Sequence, residues 1–272
     1  MPHHPKKRFG QNFLRDQTVL QNIIACIQPQ TDQHVLEIGP GQAALTHLLV
    51  DKVKRLDVVE IDFDLIPDLQ NLATRHPALK VHQADVLKFD LRQLTNQEYS
   101  LRVVGNLPYN ISTPLLFHLL EYKNLLRDIH VMLQDEVVER ITATPGHHAY
   151  GRLSVMLQYH CQCEKLLDVP PTAFHPMPQV NSAVVRLIPY AQLPLQAHDY
   201  SRFAAVVQAA FAERRKMIRN TLKSFLSAED FVALNLDPQL RAENLSVADF
   251  VRISNYLSSR KSRSDYPGSR LL

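Results

Sequence analysis

Asn106-Leu107-Pro108-Tyr109 brings together a side-chain carbonyl, a backbone carbonyl followed by proline, and a flat aromatic ring. That set suits the exocyclic amine of a nucleobase, a poor nucleophile because its lone pair is delocalised into the ring. The Asn106 side-chain carbonyl and the Leu107 backbone carbonyl could accept both amino hydrogens. This favours a pyramidal nitrogen whose lone pair points at an electrophile. Pro108 donates no hydrogen bond and stiffens the turn, and Tyr109 offers a face for base stacking, worth ~1–3 kcal/mol. The proton can leave after the nitrogen becomes cationic, so orientation and preorganised acceptors would carry the rate. Asn and Pro are also common turn residues, so the motif takes its meaning from its surroundings. A second ring would complete a sandwich around a flipped base; Phe174, between Pro171 and Pro176, is the candidate.

The elements that position these residues alternate between strand and helix. Helices are expected over residues 19–27, 43–51, 65–74 and 114–122, the last capped by Thr113 with Pro114 at its first position. Strands are expected over 34–38, 55–60, 80–84, 101–105 and 129–133. The alternation implies an open, Rossmann-like, doubly wound α/β fold with a mostly parallel sheet. After Gly151 two strand-like runs, 153–161 and 182–188, enclose a proline-rich segment. From about residue 201 apolar residues recur at helical spacing through 203–226, and a further helix is expected over 247–257. The division expected is a basic segment over 1–17, a sheet domain over 18–195, a small helical domain over 196–258 and a mobile basic tail over 259–272.

Ligands of such sheets sit beyond the carboxyl ends of the strands. The first of these strands closes in Glu37-Ile38-Gly39-Pro40-Gly41, whose glycines permit a tight turn and close approach of a ligand. A third glycine is missing, since Ala43-Ala44 follows Gln42. Glu60 ends the second strand, where an acid commonly accepts from ribose hydroxyls; Asp85 ends the third, placed to accept from an adenine amino group. A nucleoside with few or no phosphates fits, with S-adenosylmethionine leading and NAD, which favours the third glycine, the competitor.

The chain has 272 residues, 45% hydrophobic, and a net charge of +3. Residues 1–15 carry Lys6, Lys7, Arg8 and Arg15 with no acid, and residues 201–272 carry twelve Lys/Arg against seven Asp/Glu. Basic ends about an acidic centre suggest a polyanion held from two sides. Arg215, Arg219 and Lys223, with Arg214 and Lys216 beside them, would form one stripe on the 203–226 helix, suited to phosphates. Three sparse cysteines without zinc-site spacing argue against a metal and for a reducing compartment. No run reaches the ~20 apolar residues of a membrane span. A cytoplasmic protein is expected.

Taken in order, these motifs resemble the KsgA/RsmA family, the bacterial small-subunit ribosomal RNA adenine dimethyltransferases. The resemblance rests on residues 7–14 (KRFGQNFL), 37–41 (EIGPG), 105–112 (GNLPYNIS), 150–155 (YGRLSV), 180–185 (VNSAVV) and 214–216 (RRK). It implies that Asn12, Leu14, Gly39, Glu60, Asp85 and Asn106 contact S-adenosylmethionine, with Gly41 in the same loop and S-adenosylhomocysteine as product. Residues 11–14 would fold over the cofactor while Lys7 and Arg8 face RNA. It further implies a monomer that dimethylates two adjacent adenosines in a hairpin loop near the 3′ end of 16S rRNA, within the assembling 30S subunit. Three rivals stand beside this. They are a macrolide-resistance methyltransferase of 23S rRNA, a DNA adenine methyltransferase of the D-P-P-Y type, and a factor whose assembly role outweighs its catalysis.

Overall fold

The computed structural model describes residues 11–260. Lys7, Arg8 and the tail beyond Arg260 lie outside the described residues. The chain begins with a short strand, β1 (Phe13–Leu14), and a helix, α1 (Gln17–Ile27). The Asp16 carboxylate starts α1 by accepting from the Thr18 and Val19 N–H groups at 2.8 and 3.0 Å. Then follow β2 (His34–Ile38), α2 (Thr46–Leu49), β3 (Arg55–Glu60), α3 (Ile66–Arg75), β4 (Leu79–Gln83), β5 (Leu101–Asn106), α4 (Ser112–Glu121), β6 (Leu126–Gln134) and α5 (Asp135–Thr142). The expected helix over 43–51 shrinks to the single turn of α2. Helix α4 starts at Ser112, before the expected Thr113 cap, and no side chain caps it.

Seven strands form one sheet in the order β4-β3-β2-β5-β6-β9-β7, where β7 is Cys161–Val169 and β9 is Ser182–Pro189. The first five pair in parallel; β9 runs antiparallel to both β6 and β7. Val35, Leu36, Val103, Val104, Ile129 and Val131 are fully buried, which is why the central strands read as continuous apolar runs rather than alternating ones. Gly105 is dictated by packing: a Cβ there would lie 2.5 Å from the Ile38 carbonyl oxygen. A separate two-stranded sheet pairs β1 with β8 (Phe174–His175), setting Leu14 across from Phe174.

The described residues divide into two compact units, residues 11–142 with 160–191, and residues 143–159 with 192–260. The sequence placed 143–159 with the sheet; it folds with the second unit. Residues 153–161, expected as strand, are mostly helix α6 (Arg152–His160), and the strand β7 begins only at Cys161. Ser154 through Leu157 are all buried, so α6 lacks the polar face that would reveal a helical period. Within the second unit Tyr159 stacks on Phe203, ring centroids 4.5 Å apart, and its hydroxyl accepts from the Ala197 N–H.

The expected helix through 203–226 is interrupted. Helix α7 (Tyr200–Ala210) stops, and only one further turn, α8 (Ile218–Thr221), forms. Met217 is extended and pairs with Arg241, while the Ile218 N–H donates to the Leu240 carbonyl at 2.7 Å. The unit is completed by α9 (Ala228–Ala233) and α10 (Val247–Ser259), the latter started by a reciprocal Ser246–Asp249 cap. Arg202 ties α7 to α10 by donating to the Leu257 carbonyl at 2.6 Å.

Candidate active site

A cavity of about 290 Å³ opens at the carboxyl ends of β2 to β6. Its turn after β2 needs left-handed backbone at Gly39 and Gly41, with φ of +65° and +57°. A Cβ on Gly41 would press to 3.0 Å from the Phe13 ring. Ala43, just before the position (Ala44) where a third glycine was missing, also adopts a left-handed φ of 63°. The sharp turn is thus made without that glycine.

Glu60, 5% exposed, spends most of its acceptor capacity on this loop. Its Oε2 accepts from the Gly41 N–H at 3.2 Å, and Oε1 from the N–H groups of Ile61 and Asp62 at 2.9 and 2.8 Å. A carboxylate has about four acceptor sites, so room for a ribose hydroxyl remains. Burial pushes its carboxyl up, while the three N–H groups pull it back. Asp85 caps the turn after β4 by accepting from the Leu87 N–H at 3.0 Å, and it too lines the cavity.

Sequence reading passed over Glu37 as part of a turn. It is 2% exposed, lines the cavity and leaves Oε2 without a hydrogen-bond partner. Burial pushes its carboxyl up to about 7, the Thr46 hydroxyl working against this and the Glu60 charge adding to it. The available signal was an acid inside an otherwise apolar strand (residues 34–38).

At the end of β5 the Asn106 Nδ2 donates to the Asn12 backbone carbonyl at 2.9 Å. That bond turns the side-chain carbonyl of Asn106 away from Asn12. The Leu107 N–H donates to the Met132 carbonyl at 3.1 Å, extending the sheet by one residue. The Pro108 carbonyl accepts from the Ile111 N–H and the Ser112 hydroxyl, closing the turn. Tyr109, half-buried, is fixed by a 2.8 Å hydrogen bond between its hydroxyl and that of Ser182, and burial raises its phenol.

Glu37, Glu60 and Asp85 line this cavity, and among the described residues no Lys or Arg does. Such a field suits a cation and repels phosphates. The acceptor set and the unpaired Glu37 oxygen fit S-adenosylmethionine, which carries a sulfonium and an ammonium, and disfavour NAD.

Residues 3–259 match the family model described as ribosomal RNA adenine dimethylase. The chain belongs to that family. Members of similar sequence include the ribosomal RNA small subunit methyltransferase A of Hydrogenovibrio crunogenus, 55% identical over 93% of this chain and 96% of that one. The protein of the same name from Pseudomonas aeruginosa is 52% identical over 98% of both. Among solved structures, a dimethyladenosine transferase from Plasmodium falciparum shares the fold with a TM-score of 0.77, at 24% identity over 89% of this chain and 95% of that one. The 23S rRNA methyltransferase ErmE gives 0.75, at 25% identity over 91% of this chain and all of that one. The fold is thus that of S-adenosylmethionine-dependent methyltransferases, and this dimethylase modifies ribosomal RNA.

The dimethylase structure brings Asn12, Leu14, Gly39, Gly41, Glu60, Asp85 and residues 106–109 to one cavity. It does not bring Phe174 there as a stacking partner. That ring is 5% exposed and packs in a core with Leu14, Leu20 and Ala173. In this arrangement the Phe174 ring does not line the cavity with Tyr109. The RNA stripe is corrected too: Arg215, Arg219 and Lys223 do not share a helix, because the chain leaves helical geometry between α7 and α8. All three remain exposed, as do Arg214 and Lys216. Arg214 donates to the His148 carbonyl, and Lys216 pairs with Glu213 at 2.7 Å. No helix among the described residues is long and apolar enough to cross a membrane.

Proposed function

We propose that this chain transfers methyl groups from S-adenosylmethionine to the N6 amino groups of two adjacent adenosines in a hairpin loop near the 3′ end of 16S rRNA. The products are N6,N6-dimethyladenosine and S-adenosylhomocysteine. The observation that carries this reading is the Asn106 amide, held through Nδ2 by Asn12 with its carbonyl left to accept an amino hydrogen. The cofactor supplies an electrophilic methyl group. Glu60 and the Gly39–Gly41 turn hold its ribose end, Asp85 accepts from its adenine, and Asn12 and Leu14 cover it. Asn106 and the Leu107 carbonyl accept the two hydrogens of the target amine, and Tyr109 stacks on its ring. After the first transfer one amino hydrogen remains, so the same acceptors serve the second with one partner fewer. The proton leaves once the nitrogen is cationic.

Lys7, Arg8, Arg214, Arg215, Lys216, Arg219 and Lys223 act on phosphates, positioning the RNA without reading its sequence. The protein works as a cytoplasmic monomer on the assembling 30S subunit, and this chemistry calls for no metal. The test is a methyl-transfer assay on small-subunit particles, 23S rRNA and duplex DNA side by side, with the modified base mapped. Dimethyladenosine in the small-subunit hairpin supports the reading. Label confined to 23S rRNA or DNA overturns it.

A further inference from the structure

The cavity floor holds a second buried polar side chain that the methyl-transfer chemistry leaves unused. His130, in the middle of β6, is 3% exposed, lines the cavity, and has a ring Nε2 without a hydrogen-bond partner. Its Nδ1 lies 3.2 Å from Asp128 Oδ1, too poorly aligned for a hydrogen bond but close enough to favour a proton there. Asp128 is itself held by the Arg102 Nε at 2.9 and 3.1 Å, and Arg102 is anchored on the Ile27 and Gln28 carbonyls that end α1 and on Gln33. A buried imidazole is rarely left with an open nitrogen, and a carboxylate facing the other nitrogen fixes which one is the acceptor.

Strand register places His130 relative to the other unpaired group. Glu37 is paired with Val104, and Val104 with His130. The three residues form one row across β2, β5 and β6, with their side chains on the same face. Two strand spacings put the backbones of Glu37 and His130 about 9–10 Å apart, and both side chains reach the same cavity over Val104. Two acceptors facing one space match a group with several N–H donors and positive charge. An ammonium satisfies both, and among the described residues no Lys or Arg lines the cavity to do so instead.

We infer that His130 Nε2 and Glu37 Oε2 together grip the α-ammonium group of the cofactor's amino-acid end, which makes His130 a binding residue for S-adenosylmethionine. This rests on the cofactor reading of the cavity. His130, two residues below Met132, which pairs with Asn106 in the register, lies beneath the reacting amine rather than beside it. The imidazole turns Nδ1 toward Asp128 and accepts from the ammonium at Nε2; Glu37 accepts a second hydrogen, and its charge offsets that of the ligand.

The test measures equilibrium binding of four probes to the full chain and to His130→Phe. The probes are S-adenosylhomocysteine, its decarboxylated analogue (which keeps the amine), its deaminated analogue (which keeps the carboxylate) and 5′-methylthioadenosine, which lacks both. The wild type should prefer the two amine-bearing probes. His130→Phe should weaken both by about tenfold or more, the size of a lost hydrogen bond to a charged group, and leave the other two unchanged. His130→Gln, which restores an acceptor, should recover part of the loss. Equal weakening of all four probes would mean the histidine only shapes the core, and a loss that follows the carboxylate would mean it binds that group instead; either overturns the inference. So does unchanged binding of every probe. Wild-type protein that binds none of the four would overturn the cofactor assignment itself.

Discussion

Asn106 and Asn12, 94 positions apart in the chain, meet in a 2.9 Å hydrogen bond from the Asn106 Nδ2 to the Asn12 backbone carbonyl. The acceptor belongs to the backbone, so its position depends on the path of residues 11–14 rather than on the Asn12 side chain. β1 holds that path by pairing with β8, and the Phe13 ring packs beside Gly41. Residues 11–14 therefore orient the Asn106 amide as well as lining the cavity.

Deleting residues 1–12 removes that acceptor and frees the Asn106 amide to rotate. Methyl transfer at saturating S-adenosylmethionine should fall by about tenfold or more, since misplacement of about 1 Å can cost 10²-fold. Rates on small-subunit particles check this. A truncated chain with an unchanged maximal rate would take Asn12 out of catalysis.

Gly105→Ala forces a Cβ to within 2.5 Å of the Ile38 carbonyl oxygen, which is strand backbone, and 3.3 Å from the Leu107 side chain. Overpacking of this kind costs about 1–3 kcal/mol. A lower urea midpoint with an unchanged slope is expected, together with loss of activity, because Asn106 is the next residue.

Glu37 sets a pH dependence. Its carboxyl is pushed up to about 7 by burial. Between its ordinary value and 7 the folded chain holds a proton that the unfolded chain has lost. Stability of the cofactor-free protein should therefore fall as pH rises through that window, by up to about 3 kcal/mol, and level off above it. Glu37→Gln should flatten the slope. Unfolding midpoints measured across the window, with and without the substitution, decide it.

Arg215, Arg219 and Lys223 are exposed on an irregular segment and one turn of helix. Changing all three to Ala should weaken binding to small-subunit particles and reduce its salt slope by about 0.7–0.9 for each phosphate that is no longer neutralised. Affinity for S-adenosylhomocysteine should not change. An unaltered salt slope would place RNA elsewhere.

The parallel core was legible because its strands are short, apolar and bounded by turns, and β2 and β3 fall on the expected residues. The strand ends placed Glu60 and Asp85 at the cavity for the same reason: topology alone fixes where such ends lie. What failed was set by distant partners. Met217 breaks the helical run because it pairs with Arg241, which no local pattern announces. Helix α6 is buried almost all round, so its apolar residues carried no period. Phe174 shares its loop with Pro170, Pro171 and Pro176, as a ligand-facing ring might, but β1 crosses its strand and packs Leu14 against it. Glu37 escaped notice because an acid near the end of a strand resembles any other until its burial is known.

In the proposed mechanism, catalysis turns on Asn106 as the acceptor that readies an adenine amine. The most direct test is the rate at which Asn106→Ala forms dimethyladenosine on small-subunit particles, measured by nucleoside mass spectrometry beside S-adenosylhomocysteine binding. The rate should fall by about 10²-fold or more, the scale seen when one preorganised hydrogen-bonding group is removed from an active site, with a much smaller change in cofactor affinity. A variant that still dimethylates near the wild-type rate would contradict this role for Asn106.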